Sequence, residues 1–386
     1  MNIVYLVNSL FSRPGVPGAD DDHLNQLLID YVAKATEELR ERAADILGWR
    51  SEDLHVTMGA DIESTLYQKP SKKQKTEKDD GMKKKGHGKS ARQAFKETGF
   101  LKRIDRVTNF IKRQGYPFLL DNGKRTHIDG TKVETHLKIG TPLEYIHHYR
   151  WAKTWIEHDV KTRKNTDLVF GSGHTHLGLY DGQDQDALPL CGKEELPLKN
   201  FILQGIVSLQ RTYPALFLRP RTVEEGVKNP SGAYALEGGT SVRSNEGPRG
   251  SKMATIENRL SHSQRPEVSA ALTLAGAVHG LDIKATHTYA FSCGQKEIYR
   301  GKRKFLDMVE DMVEKQDIYH FFGAELGKAL VDDCLDRYEV FLDNGTMEYT
   351  QEDEAAAKQR VAQLRYANKY TQFPADYLSY PAALAA

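Results

Sequence analysis

Three short segments of the chain place two chemically active side chains one residue apart. In a β-strand, residues i and i+2 project from the same face of the sheet, whereas in a helix they point in different directions. Each segment also contains apolar or β-branched residues, which favour extended structure. The spacing therefore predicts strands on which each pair acts from one face. The pairs are Asp61 and Glu63 in GADIESTLY, His174 and His176 in GSGHTHLGLYDG, and Glu257 and Arg259 in TIENRLS.

A fourth segment, DGTKVE, ends on Glu134 and is preceded by His127 and Asp129. Carboxylates brought from several strands to one face repel one another unless a cation lies among them. Mg²⁺ and Mn²⁺ prefer oxygen ligands, and an imidazole suits Mn²⁺. Together the four segments predict a divalent-metal site. Taken singly, each has a plainer interpretation: a D-x-E pair is common on a solvated strand face, Glu257 beside Arg259 can form a surface ion pair, and Glu134 or the HxH pair can face water.

Bulk properties narrow the classes of function. The 386 residues carry a formal net charge of +1, so no general field attracts nucleic acid or a membrane. We expect no membrane span, because no apolar run reaches about 18 residues, and no signal peptide, because the start lacks a basic region. Three widely separated cysteines, Cys191, Cys293 and Cys334, favour free thiols in a reducing compartment over disulfides or a zinc knuckle. We therefore predict a cytoplasmic protein.

Hydrophobic spacing predicts a mixed α+β chain. An amphipathic helix begins near Asp22, and an alternating strand follows over roughly Leu54 to Tyr67. Further along, short strands carry the acids and histidines, and helices rich in aromatic or small residues lie between them. The order predicts a catalytic-type domain over residues 1–297 and a mostly helical extension over residues 298–386.

A lysine-rich loop is predicted at residues 69–91. Nine lysines occur between Lys69 and Lys89, with almost no apolar side chain among them. Such a segment cannot bury enough surface to order itself, which predicts a mobile, solvated insertion. A contact with a polyanion is the alternative, and the affinity of that contact would fall steeply with salt.

Five motifs in their order resemble the catalytic domain of glutamine synthetase, over about Asn25 to Leu281. That family has a GxExEF strand where this chain has GADIESTLY, and GSGMHxH followed by LWD where this chain has GSGHTHLGLYDG. Its glutamate-rich loop and strand resemble THIDGTKVETHL, its apolar helix resembles FILQGIVSLQRTYPAL, and its RxExR strand with a proline-bounded helix resembles TIENRLSHSQRPEVSAALTLAGAVHGL. The resemblance implies a curved, mostly antiparallel sheet that carries the metal site, with helices packed on its outer side. It does not include the family's small N-terminal β-grasp domain.

The resemblance implies two metal ions with separate ligands. Glu63 and Glu134 resemble ligands of the metal that holds the carboxylate substrate. Asp61, His174 and Glu257 resemble ligands of the metal that holds the phosphates of ATP.

The resemblance also implies roles around the transferred phosphoryl group. His176 resembles the histidine beside the acyl phosphate. Arg243 and Arg249 resemble arginines that contact phosphoryl groups, and Arg259 resembles the last arginine of RxExR. The turn formed by Gly171, Ser172 and Gly173 would let the strand begin close to bound nucleotide phosphate.

The implied activity is that of an ATP-dependent carboxylate–amine ligase. It would form an amide through an acyl phosphate, with ATP and two Mg²⁺ or Mn²⁺ ions as cofactors, in a homo-oligomer. Thr255 departs from the family by replacing the first arginine of RxExR, and the first loop glutamate has no clear match, with Thr126, His127 and Asp129 competing for its place. Ammonia is therefore not the expected amine. The alternatives are a carboxyl or guanidino kinase on the same fold, a metal-dependent hydrolase, and a non-catalytic assembly protein.

Overall fold

The structure is a computed structural model. It describes residues 21–68, 126–129, 132–137, 139–161, 166–170, 173–181, 196–217, 242–245, 255–261, 265–282, 305–343 and 351–372.

Seven strands of the described chain form one antiparallel sheet. They are β1 (Leu54–Gln68), β2 (Thr126–Asp129), β3 (Lys132–His136), β4 (Thr166–Phe170), β5 (Gly173–Asp181), β6 (Val242–Asn245) and β7 (Thr255–Ser261). One edge of β1 pairs with β3, and the other edge pairs with β5 along its first half and with β4 along its second half. The sheet order is β2-β3-β1-β5-β7-β6, with β4 beside the end of β1. The long strand β1 is therefore the centre of the sheet.

Alternation along β1 explains why this segment is a strand. From Leu54 to Ile62, every second side chain is apolar and at most 5% exposed, while the residues between them lie on the opposite face. An antiparallel sheet that is covered on one side favours this pattern of burial. The buried residues are Leu54, Val56, Met58, Ala60 and Ile62.

Helices cover the apolar face of the sheet. Of the described helices, α1 (Asp21–Leu47) and α2 (Pro142–Lys161) contact β1. Helix α5 (Pro266–Asp282) contacts β5, and it also packs against α1, α2 and α3 (Leu196–Thr212). None of the described helices is both long and apolar enough to cross a membrane. The helices are α1 (Asp21–Leu47), α2 (Pro142–Lys161), α3 (Leu196–Thr212), α4 (Pro214–Phe217), α5 (Pro266–Asp282), α6 (Phe305–Lys315), α7 (Asp317–Phe322), α8 (Ala324–Asp343) and α9 (Gln351–Tyr370).

The two helices α3 and α5 approach each other closely because glycines line their contact. A Cβ on Gly205 would lie 2.1 Å from the carbonyl oxygen of Gly276 and 2.3 Å from the backbone nitrogen of Gly280. No side chain fits such a gap, so backbone meets backbone at this crossing. Gly205 on α3 and Gly276 and Gly280 on α5 make this close crossing possible.

The four C-terminal helices share the core of the remaining chain. Buried side chains of α6 to α9 belong to the same hydrophobic cluster as those of α1 and β1. The Phe322 ring of α7, for example, lies 5.5 Å from the Tyr31 ring of α1, measured between centroids. Asp333, a buried aspartate on α8, also forms an ion pair with Arg265, which precedes α5. Arg265 Nε lies 3.1 Å from Asp333 Oδ1.

The α+β class with an antiparallel sheet and helices on its outer side is confirmed. The first helix and strand begin within one residue of their predicted starts. The division into domains at residue 298 stays a prediction. The lysine-rich segment at residues 69–91 lies outside the described residues.

Candidate functional site

The predicted site lies on the sheet face opposite the helices. On β5, Leu177 and Leu179 are buried in the core, so His174 and His176 lie on the other face by alternation. On β7, Ile256 is buried in the core in the same way, which places Glu257 beside the histidines. As the one-residue spacing predicted, His174 and His176 share one face of β5, and Glu257 of β7 lies on the same face of the sheet.

His176 is held through both ring nitrogens. Its Nε2 atom lies 3.0 Å from Asp61 Oδ2 on β1, and its Nδ1 atom lies 3.0 Å from the Thr255 hydroxyl on β7. The side chains of His176 and Asp61 are only 13% and 17% exposed. A contact of His176 with a phosphoryl group, as the motif resemblance implies, would require one of these two bonds to break.

His174 pairs with a deeply buried carboxylate. Its Nδ1 atom lies 3.1 Å from Glu257 Oε1, and the Glu257 side chain is 1% exposed. This is the distance of an ion pair between the carboxylate and a protonated imidazole.

The backbone register brings the remaining predicted ligands to neighbouring positions. Glu63 on β1 lies directly opposite Glu134 on β3 in the strand pairing, so that the two residues are Cα partners. Asp61 is likewise the Cα partner of His174. His127 on β2 is in turn the partner of Glu134. Of the three candidates for the missing loop glutamate, His127 is therefore the one in the same cross-strand row as both glutamates. Thr126 pairs with Thr135, and Asp129 pairs with Lys132.

The predicted phosphate-side residues are only partly covered by the structure. Arg243 on β6 is the Cα partner of Glu257. Arg259 lies on β7, where the pairing with β5 shifts by one residue between Asn258 and Ser261. Gly173 begins β5. Arg249, Gly171 and Ser172 lie outside the described residues.

The described metal-capable side chains of the site contact one another in two pairs, His174 with Glu257 and His176 with Asp61. No group of three or more histidine, cysteine, aspartate or glutamate side chains within the described part of the chain is arranged to hold a metal.

The donor chemistry nevertheless fits Mg²⁺ or Mn²⁺. Two ligands that bind one octahedral ion at about 2.1 Å and at right angles lie about 3 Å apart, which is the separation of His174 Nδ1 and Glu257 Oε1. Carboxylate and imidazole ligands also suit Mn²⁺. The role of these residues as ligands stays a prediction.

A layer of polar groups that the motifs did not reveal lies beneath the site. Asn258 on β7 is fully buried on the helix side, where it accepts a hydrogen bond from Gln210 Nε2 at 2.9 Å and donates one to the Thr273 hydroxyl at 3.0 Å. Thr175, between the two histidines, lies 3.3 Å from the Tyr145 hydroxyl. These contacts tie β7 to α3 and α5, and β5 to α2. The sequence signal for this layer was Asn258, a polar residue at a position of β7 where alternation predicts a buried apolar side chain.

Burial raises the pKa of the Tyr145 hydroxyl well above its usual value, and the Thr175 hydroxyl lowers it by a smaller amount. Tyr145 is therefore a neutral hydrogen-bonding group beneath β5. Sequence analysis also missed His136, which is the Cα partner of Asp61 on the β3 side. Its spacing from Glu134 repeats the one-residue interval of the other motifs.

No protein-family model and no curated protein matches the chain. Solved structures with a similar fold include apo GmaS without ligand, with a TM-score of 0.45 and 14% identity over 91% of this chain and 75% of that chain. A GmaS/ADP complex has a TM-score of 0.48 and 15% identity, covering 83% and 76% of the two chains. A novel glutamine synthase homolog has a TM-score of 0.49 and 14% identity, covering 84% and 75%.

One of these solved structures is named as a glutamine synthase homolog, which is the family that the motifs resemble. The likeness concerns the fold.

Proposed function

We propose that the chain is an ATP-dependent carboxylate–amine ligase that forms an amide through an acyl phosphate. The observation that supports this proposal is the cross-strand register of the metal-capable residues. Asp61 is the partner of His174, and His176 is the partner of Glu257. Together with Glu63 opposite Glu134, these pairs bring six such residues from four strands to adjacent positions of one sheet.

In this proposal, two groups of ligands hold two divalent ions. Asp61, His174 and Glu257 would hold the ion on the nucleotide side. Glu63 and Glu134 would hold the ion on the side of the carboxylate substrate, with His127 in the position of the missing loop glutamate. When bound, such ions neutralise the negative charge of the phosphates and of the transferred phosphoryl group.

The protein itself would supply positioning and positive charge. Arg243, Arg249 and Arg259 would face the phosphoryl group, where fixed charges stabilise the charge that develops during transfer. Gly171, Ser172 and Gly173 would approach the nucleotide phosphates through their backbone. The buried hydrogen bonds of Asn258 beneath β7 would keep Glu257 in place, because they fix the strand that carries it.

We further propose a carboxylate and an amine other than ammonia as the substrates, because the chain departs from the family motifs at Thr255 and at the first loop glutamate. We also propose that the enzyme acts in the cytoplasm as a homo-oligomer. The lysine-rich segment at residues 69–91 stays a candidate contact for a polyanion.

An ATP-turnover assay tests the proposed activity. The full chain is incubated with ATP and Mn²⁺ against panels of carboxylates and amines, and released ADP, phosphate and products are measured by mass spectrometry. A ligase releases phosphate only when both substrates are present, and it yields an amide. A phosphorylated acceptor that remains the final product when amines are added, with no amide formed, would instead indicate a kinase. Turnover of a substrate without nucleotide would indicate a hydrolase. A chain that neither binds nor consumes ATP would contradict the proposal.

A further inference from the structure

The hydrogen bonds around His176 span three neighbouring strands. Asp61 on β1, His176 on β5 and Thr255 on β7 are joined by two contacts of 3.0 Å each. The direct cross-strand neighbours of His176 are Gly59 and Glu257. Asp61 and Thr255 are therefore the diagonal neighbours, one on each side. The imidazole lies between them and is held at both ends of the ring.

Hydrogen-bond chemistry assigns the protons in this chain of contacts. An ionised carboxylate can only accept, so Nε2 of a neutral His176 carries the hydrogen that Asp61 Oδ2 accepts. The other nitrogen, Nδ1, then bears a lone pair and needs a donor. The nearby group is the Thr255 hydroxyl, which must therefore donate to Nδ1.

Because Thr255 is buried, its hydroxyl is the main hydrogen-bond donor available to His176 Nδ1. Thr255 is 6% exposed, so little water is available to replace it at Nδ1. A buried imidazole nitrogen that loses its partner is destabilised, and the ring can then turn or change tautomer. The hydrogen bond from Thr255 thus helps to hold the ring in the orientation in which Nε2 faces Asp61.

We propose that Thr255 is a positioning residue that acts through His176 on Asp61. By fixing the ring, Thr255 keeps Nε2–H on Asp61 Oδ2 and so holds the Asp61 carboxylate in the orientation in which it would bind a divalent ion. Partners of this kind behind a ligating carboxylate change metal affinity by about 10- to 100-fold. The effect on the ion rests on the proposed function, in which Asp61 is a ligand, whereas the effect on His176 does not.

Three variants separate this role from a structural one. Thr255→Val removes the donor and keeps the shape of the side chain, and Thr255→Ser restores the donor. Thr57→Val is the matched control, because Thr57 lies on the same face of β1 as Asp61 and its hydroxyl bonds Gly178 instead. Thermal unfolding of all three establishes that each variant is folded.

The first measurement reports the tautomer of His176 in the metal-free protein. Histidine-labelled protein gives ring ¹⁵N shifts, and the signals of His176 are assigned as those that vanish in His176→Gln. We expect the neutral Nε2–H form in the native chain, in Thr255→Ser and in Thr57→Val, and a mixture of tautomers in Thr255→Val. An unchanged His176 spectrum in Thr255→Val, or a native ring protonated at Nδ1, would overturn the role of Thr255.

The second measurement is a calorimetric titration with Mn²⁺ alone. We expect Thr255→Val to bind Mn²⁺ about tenfold more weakly than the native chain, with Thr255→Ser and Thr57→Val within about twofold of it. Equal affinity in Thr255→Val despite a changed tautomer would overturn the link from His176 to Asp61. If the native chain binds no Mn²⁺, the proposed metal function fails and this link with it, while the ¹⁵N spectra still decide the contact between Thr255 and His176.

Discussion

The carbonyl oxygen of Phe201 on α3 lies 2.0 Å from the position that a Cβ on Gly280 of α5 would occupy. Gly280→Ala would therefore force the two helices apart. We expect it to lower the free energy of unfolding by about 1–3 kcal/mol, which is typical of overpacking, although alanine is the better helix former by about 1 kcal/mol. Urea denaturation measures the change.

The control for this substitution is Ser208→Ala, which removes a half-buried hydroxyl of α3 without adding an atom. Stability that stays within about 0.5 kcal/mol of the native value is expected for the control. An equally small change in Gly280→Ala would show that α3 and α5 do not cross as closely as the structure indicates.

Asp333 is predicted to be the most sensitive acid of the C-terminal helices. Its side chain is 2% exposed and contacts Arg265 at 3.1 Å and Arg337 at 2.9 Å. Asp333→Ala leaves two arginines without their shared carboxylate, which should destabilise the fold by about 3–5 kcal/mol. The exposed pair of Asp343 and Lys358 is the comparison, and Asp343→Ala should change stability by less than about 1 kcal/mol. Similar unfolding midpoints for both variants would contradict the buried network.

The pH dependence of stability should include a contribution from His279. Burial lowers the pKa of His279 below its ordinary value of 6.5, and its ring lies 5.5 Å from the Phe321 ring. The unfolded chain therefore binds a proton more readily than the folded chain. The stability that this group contributes is present above pH 6.5 and is lost as the pH falls toward the lower, folded-state pKa.

His279→Leu should remove this part of the acid sensitivity. Urea denaturation at pH 7.5 and pH 5.5 then shows a smaller loss for the variant than for the native chain. His147→Leu, which changes an exposed histidine of α2, serves as the control and should leave the loss as it is. Equal losses in all three proteins would show that His279 titrates alike in the folded and unfolded chains.

The proposed metal site predicts that Glu257→Ala and His174→Ala both weaken Mn²⁺ binding. The two side chains lie 3.1 Å apart, so each variant removes a ligand of the same ion. We expect at least a tenfold loss of affinity in a calorimetric titration, by comparison with the effect of outer-shell changes. Glu52→Ala, which removes an exposed carboxylate next to β1, should bind as the native chain does. Native affinity in both site variants would rule out this pair as ligands.

The register also predicts which residue replaces the missing loop glutamate. His127 is the Cα partner of Glu134, whereas Asp129 is the partner of Lys132. We expect His127→Ala to reduce the number of Mn²⁺ ions bound from two to one, and Asp129→Ala to leave two. Mass spectrometry under native conditions counts the ions. The reverse result would assign the position to Asp129.

The elements of the fold follow largely from local sequence. The apolar spacing of Leu28, Val32 and Ala35 predicted α1, and the alternation from Leu54 predicted β1, because a helix or strand needs one continuous face to bury. The same local rule placed His174 and His176 on one face.

The partners of these side chains were decided by tertiary structure. The D-x-E and HxH spacings predict faces, yet they do not specify that His176 meets Asp61 and Thr255, or that His174 meets Glu257. Those contacts depend on which strands are neighbours and on their register, and a shift of one residue would move every side chain to the other face. Register is set by backbone pairing and core packing over separations of 115 residues, as between Asp61 and His176. Spacing within a single strand carries no information about residues so far apart along the chain.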